Sequence, residues 1–188
     1  MEILEKIDKT WSLFLDRDGV INHEKKLDYI LHRGEFTFYD GVKDAMKILN
    51  EIFGNIFIVT NQRGIGKNMM TDADLHDIHT FMLEEITLSG GRIDSIYYAS
   101  SMDNDCYDRK PNPGMANKAK KDFPHIDLTK SIIIGNNLSD MEFGRNAGMK
   151  TIFVATTNPS IIIPHPLIDY LFIDLHQAAL HLRALIKS

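Results

Sequence analysis

Leu13-Phe14-Leu15-Asp16-Arg17-Asp18-Gly19 is an apolar run that ends abruptly in two carboxylates, one residue apart, followed by glycine. So short an unbroken apolar run has no room for the stripe of an amphipathic helix. It reads as a strand buried on both faces, which requires helices packed above and below it. In open α/β sheets, ligands bind in the crevice beyond the carboxyl ends of the strands, so Asp16 and Asp18 are expected to face a ligand. The two-residue period of a strand points both one way and Arg17 the other. Taken alone, Asp and Gly read equally well as a solvated turn, and the rest of the chain has to decide.

Further apolar runs end in the same manner. Residues 56–62 run from Ile56-Phe57-Ile58-Val59 straight into Thr60-Asn61-Gln62, and residues 131–135 run into Asn136-Asn137-Leu138-Ser139-Asp140. Residues 93–99, 150–155 and 170–173 supply three more strand-like segments. Helical stripes alternate with them: Val42, Ala45, Met46 and Leu49; then Leu75, Ile78, Met82 and Ile86 behind a capping box at Thr71–Asp74; then Leu175, Ala178, Ala179, Leu182 and Ile186. This alternation predicts an α/β fold, a three-layer α/β/α Rossmann-like sandwich with a mostly parallel sheet and no large cap domain. The length, 188 residues, suits one domain, 1–188. Residues 1–10 read as a lead-in to the first strand.

Composition narrows the function classes. With 44% hydrophobic and 25% charged residues and no apolar run of bilayer-spanning length, the chain is expected to be an ordinary soluble protein. The start, Met1-Glu2-Ile3-Leu4-Glu5-Lys6, carries acids where a secretory signal would be basic, so a cytoplasmic location and no membrane partner are expected. A single cysteine, Cys106, excludes an internal disulfide framework. A net charge of −5 argues against non-specific nucleic-acid binding while leaving room for a local phosphate pocket. No exposed apolar stripe argues against a monomer.

Other stretches carry weaker signals. Gly64-Ile65-Gly66 reads as a turn whose backbone N–H groups could approach an anion. Arg109 and Lys110 precede a helix in which Asn112 is expected to cap and Pro113 to fill the first turn, placing two cations beside a positive helix end. Residues 20–39 and 100–108 read as loops over the strand ends that select what enters. His76 and His79 have a metal-compatible spacing but no third ligand, and read as surface or half-buried histidines.

Asp16-x-Asp18-Gly19, Thr60, Lys110-Pro111 and Gly135-x-x-x-x-Asp140 together resemble the four motifs of the haloacid dehalogenase-like phosphatase superfamily. Within it, the segments around Leu15, Thr60, Tyr97-Tyr98 and Arg109 to Met115 are most similar to D,D-heptose 1,7-bisphosphate phosphatases and their histidinol-phosphate phosphatase relatives. The resemblance implies a Mg²⁺-dependent phosphomonoesterase acting through an aspartyl-phosphate on a small phosphorylated metabolite, foremost a sugar bisphosphate. Asp16 would be the nucleophile and Asp18 the general acid/base. Thr60 and Lys110 would hold the phosphate, and Asn61 and Arg109 would orient the substrate. The Mg²⁺ shell would draw on Asp16, Asp18 with its backbone carbonyl, and motif four. There the usual acid after glycine is Asn136, and Asp140 would compensate directly or through water. Relatives commonly carry zinc on three cysteines and a histidine. The matching positions here, Ala99, Ser101, Cys106 and Asp108, offer one soft ligand, so no zinc is expected. The alternatives are a histidinol-phosphate phosphatase and, because of Asn136, a catalytically weak phosphate-binding protein.

Overall fold

The computed structural model describes residues 4–186. Six parallel strands, β1 (Ser12–Leu15), β2 (Asn55–Asn61), β3 (Ser95–Ala99), β4 (Ser131–Gly135), β5 (Lys150–Val154) and β6 (Tyr170–Phe172), lie in the order β3-β2-β1-β4-β5-β6. The chain winds outward from β1 through β2 to β3, then returns to the other side of β1 as β4. The strand order therefore reverses between β1 and β4, and a crevice opens there at the carboxyl ends.

The helices are α1 (Val42–Ile52), the one-turn α2 (Arg63–Gly66), α3 (Asp72–Leu88), α4 (Gly114–Asp122), α5 (Leu138–Ala147) and α6 (Leu175–Ile186). Strand alternation divides the core in two. Leu13, Leu15, Ile56, Ile58, Ile132 and Ile134 face the side covered by α1, α3 and α6. Phe14, Phe57, Val59 and Ile133 face the side covered by α4 and α5, through Met115, Ala119 and Phe143. That is the three-layer arrangement predicted from the apolar runs. Each such side chain, fully removed from water, contributes roughly 1.5–3 kcal/mol relative to exposure.

The lead-in is more than a tail. Met1, Glu2 and Ile3 lie outside the described residues, but Leu4 and Ile7 are buried, and the 3-10 turn Leu4–Lys6 packs on α6. Residues 16–41, between β1 and α1, hold one 3-10 turn (Arg33–Glu35) and pack onto the core through Val20, Ile21, Ile30 and Phe36. Among the described residues no helix is long and apolar enough to cross a membrane.

Candidate active site

The register that pairs Leu15 with Ile58 on one side and Ile134 on the other, extended by the Asp16 N–H donating to the Ile134 carbonyl at 3.0 Å, sets Asp16 between the ends of β2 and β4. A cavity of about 310 Å³ opens there, lined among others by Asp16, Asp18, Thr60, Asn61, Arg109, Lys110 and Asp140. Seven of the eight candidate residues thus converge from the ends of β1 and β2, the segment before α4, and α5; Asn136 is not among the residues that line the cavity.

The centre is a buried lysine. Lys110 Nζ lies 2.9 Å from Asp16 Oδ1 and 2.6 Å from Asp140 Oδ1. Burial works against its charge, but the Asp140 and Asp16 carboxylates outweigh it and raise the Lys110 pKa, so the ammonium persists. Asp16 Oδ1 also accepts the Arg17 N–H, leaving Oδ2 without a partner among the described residues. Burial pushes the Asp16 carboxyl up to about 7 against the pull of Lys110, with Asp140 and Asp18 adding to the rise. Both Asp140 oxygens are engaged: Oδ1 by Lys110, and Oδ2 by the Asn137 N–H at the start of α5.

Asp18 sits in a different field. Burial pushes its pKa up, but the Arg17 guanidinium, Asn22 and Gln62 together hold it below the usual carboxylate value. Arg17 points away from Asp16 as the strand period requires, then turns back to reach both Asp18 oxygens through Nη2 at 2.9 Å. Asn22 Nδ2 donates to Asp18 Oδ1, and Gln62 Nε2 donates to Asp18 Oδ2, both at 2.9 Å. Gln62 Nε2 also donates to Thr60 Oγ1 at 2.8 Å, which leaves the buried Thr60 hydroxyl proton for another acceptor.

Asn61 spends both ends of its amide on the Lys110 backbone: Oδ1 accepts the Lys110 N–H and Nδ2 donates to its carbonyl, each at 3.1 Å. It therefore fixes the lysine as well as lining the cavity. Arg109 lines the cavity with Nη1 buried and unbonded; burial, then the nearby Arg63, lowers its pKa.

Asn136 is fully buried behind Gly19, whose φ is +86° and whose added Cβ would lie 2.1 Å from Asn136 Nδ2. Its Nδ2 donates to Thr157 Oγ1 at 2.8 Å and to Glu24 Oε2 at 3.3 Å, and its Oδ1 is an orphaned buried acceptor. No backbone N–H among the described residues donates to the Asp18 carbonyl. Free oxygens on Asp16, Asn136 and the Asp18 backbone suit a hard divalent cation such as Mg²⁺. Among the described residues no three carboxylate, histidine or cysteine side chains are placed to hold an ion unaided. Such an ion therefore needs the amide and carbonyl oxygens too.

Four sequence expectations change. Ile65, Lys67 and Asn68 spend their N–H groups on carbonyls within the 62–68 turn, so these three are not free to meet an anion. Gly66 instead permits close approach, since a Cβ would lie 2.3 Å from the Ser100 carbonyl. Asn112 does not cap α4, whose N-cap is Pro113; its Nδ2 donates to the Cys106 carbonyl at 3.1 Å and ties down the preceding loop. Of the two candidate selecting loops, Glu24, Lys25 and residues 27–30 line the cavity, whereas Ser100, Ser101, Cys106 and Asp108 line another one. His79 is buried, beyond the surface or half-buried position expected of it. Arg17, Asn22, Glu24 and Gln62 were missed as site residues. Their signal was proximity in sequence to the Asp pair and to Thr60, which does not reveal where a side chain turns.

A family model described as HAD-hydrolase-like matches residues 107–160. A D-glycero-alpha-D-manno-heptose-1,7-bisphosphate 7-phosphatase from Campylobacter jejuni is 40% identical over 146 residues, 78% of this chain and 83% of that protein. A D-glycero-D-manno-heptose-1,7-bisphosphate 7-phosphatase from Chlorobaculum tepidum is 34% identical over 181 residues, 88% of this chain and 90% of its own. The crystal structure of a D,D-heptose 1,7-bisphosphate phosphatase from B. bronchiseptica, complexed with magnesium and phosphate, superposes with a TM-score of 0.83 at 26% identity, covering 92% of this chain and 97% of that one. With the paired carboxylates, Thr60, Lys110 and Asp140 gathered at one switch point, these similarities lead to one assignment: the chain belongs to the haloacid dehalogenase-like hydrolases, among the D,D-heptose 1,7-bisphosphate phosphatase-like proteins.

Proposed function

We propose that the chain is a Mg²⁺-dependent phosphomonoesterase that removes one phosphate from a small sugar bisphosphate of the D,D-heptose 1,7-bisphosphate class. The observation that carries this reading is Lys110, held between Asp16 and Asp140 so that one Asp16 oxygen is left unbonded at the cavity. Asp16 Oδ2 attacks phosphorus, the bond from phosphorus to the ester oxygen breaks, and an aspartyl-phosphate forms on Asp16. Asp18 is ionised in the free chain and takes up a proton as phosphate charge enters beside it; it then gives that proton to the departing sugar oxygen. In the second half, Asp18 takes a proton from the attacking water, and the bond from phosphorus to Asp16 breaks to release inorganic phosphate. Lys110 and the Thr60 hydroxyl hold the phosphoryl oxygens throughout, while Asn61 fixes Lys110 and Arg109 offers its free Nη1 to the rest of the substrate.

Mg²⁺, held by Asp16, the Asp18 carbonyl and Asn136, would supply neutralisation of phosphoryl charge. Asp140 serves the centre through Lys110 and the start of α5. Phosphate release from D,D-heptose 1,7-bisphosphate, histidinol phosphate and a phosphorylated oligonucleotide, with and without Mg²⁺, tests the reading. Selective Mg²⁺-dependent release from the bisphosphate that Asp16→Asn abolishes is expected. Unchanged turnover by pure Asp16→Asn would overturn the mechanism, and preference for histidinol phosphate would overturn the substrate class.

A further inference from the structure

The buried stripe of α3 runs Leu75, Ile78, His79, Met82 and Ile86, so a histidine occupies a position in an otherwise apolar stripe. A polar ring at such a place costs stability unless it is bonded. Its partner is Arg17, which is itself fully buried. The guanidinium presents one edge to Asp18, with Nη2 at 2.9 Å from both oxygens and Nε at 3.3 Å from Oδ1. Its remaining nitrogen, Nη1, lies 3.2 Å from His79 Nε2. Arginine only donates, so Nε2 must be the unprotonated nitrogen and the ring must be neutral. Burial, and after it the charge of Arg17, pushes the His79 pKa down to about 3, in keeping with that geometry.

A guanidinium held at one edge alone can pivot about that edge. Held at both, its plane is fixed, and with it the carboxylate that it grips side-on. We propose that His79 is a positioning residue for proton transfer: it anchors Arg17, and through Arg17 it sets the orientation in which Asp18 meets the leaving oxygen. His79 touches neither Asp18 nor the cavity around it. The inference rests on the phosphoryl-transfer reading, with Asp18 as general acid.

The test separates orientation from mere packing. His79→Gln keeps a side-chain acceptor, whereas His79→Leu keeps bulk without one. Both are compared with the unsubstituted chain, after matching thermal unfolding, in kcat/KM for D,D-heptose 1,7-bisphosphate and for p-nitrophenyl phosphate. This ratio reports steps up to departure of the leaving group. A sugar alkoxide needs a proton to leave and p-nitrophenolate does not. His79→Leu is expected to lose on the order of tenfold or more on the bisphosphate, part of the full contribution of a general acid, and much less on the aryl ester. His79→Gln is expected to recover most of that loss. Equal losses on both substrates, or a His79→Gln variant no better than His79→Leu, would overturn the proposal. If His79→Leu does not accumulate as folded protein, His79→Met supplies the same contrast. Asp18→Asn is the control for the underlying reading. If it leaves the ratio between the two substrates unchanged, the acid assignment itself fails. If it collapses the ratio while His79→Leu does not, only the role of His79 is refuted.

Discussion

Replacing Lys110 with methionine keeps the unbranched stem and removes the charge between two carboxylates. The lysine side chain is 2% exposed and the Asp140 side chain 1%. Nζ lies within 2.9 Å of Asp16 and 2.6 Å of Asp140, so no solvent can replace it without rearrangement. Breaking a buried pair by removing one partner costs about 3–5 kcal/mol, because a charge is left uncompensated. The cheapest escape is protonation of Asp16, whose pKa already stands near 7. Each further unit of rise costs about 1.4 kcal/mol at a pH above it. A carboxyl whose folded pKa lies above its unfolded value binds more protons folded than unfolded. Its contribution to stability is therefore greatest at low pH and is lost as pH rises through the folded pKa. The loss caused by Lys110→Met is accordingly expected to be large at pH 8 and to shrink toward pH 5. Urea unfolding followed by circular dichroism at both pH values measures it. A loss below about 1 kcal/mol at pH 8, or one that is the same at pH 5, would refute the account of the lysine as the neutralising centre.

Three further outcomes are expected. Because the folded pKa of His79 is near 3 and the unfolded value near 6.5, the unfolded chain binds a proton in that window that the folded chain does not. Stability should therefore fall as pH drops from about 6.5 toward 3, by about 1.4 kcal/mol per unit from this group, and a pH series of urea titrations should show the slope reduced in His79→Gln. Asn136→Asp adds a buried carboxylate beside Glu24, so thermal melting should shift down without Mg²⁺ and recover with it, while calorimetric titration shows tighter Mg²⁺ binding; unaltered affinity would remove Asn136 from the ion's shell. Gly66→Ala drives a Cβ against the Ser100 carbonyl at 2.3 Å, and a loss of about 1–3 kcal/mol in chemical unfolding is expected, since backbone cannot yield as a side chain does.

The sequence by itself determined the layers and most of the residues that gather at the candidate site. A strand buried on both faces leaves an uninterrupted apolar run, and where such a run turns polar the chain has reached the carboxyl edge at which ligands bind. Asp16 and Thr60 were legible for that reason, Lys110 from the cations gathered before a helix, and Asp140 from its spacing after Gly135 in the motif that the chain resembles. Tertiary structure decided which groups those residues meet, because side-chain partners depend on which strands become neighbours, and local periodicity gives only the face. The return of the chain to β4 beside β1 brings Asp140 to Lys110, and the pairing of β2 with β1 carries Asn61 to the Lys110 backbone and Gln62 to Asp18. Asn136, directly after β4, is packed against Gly19 with its amide nitrogen spent on Thr157 and Glu24, an arrangement that its place in sequence does not reveal. His79 reads as one more position on a helical stripe until α3 is laid over β1. Only there does its ring meet Arg17, because a buried donor and a buried acceptor far apart in sequence are stable only when the fold brings them together.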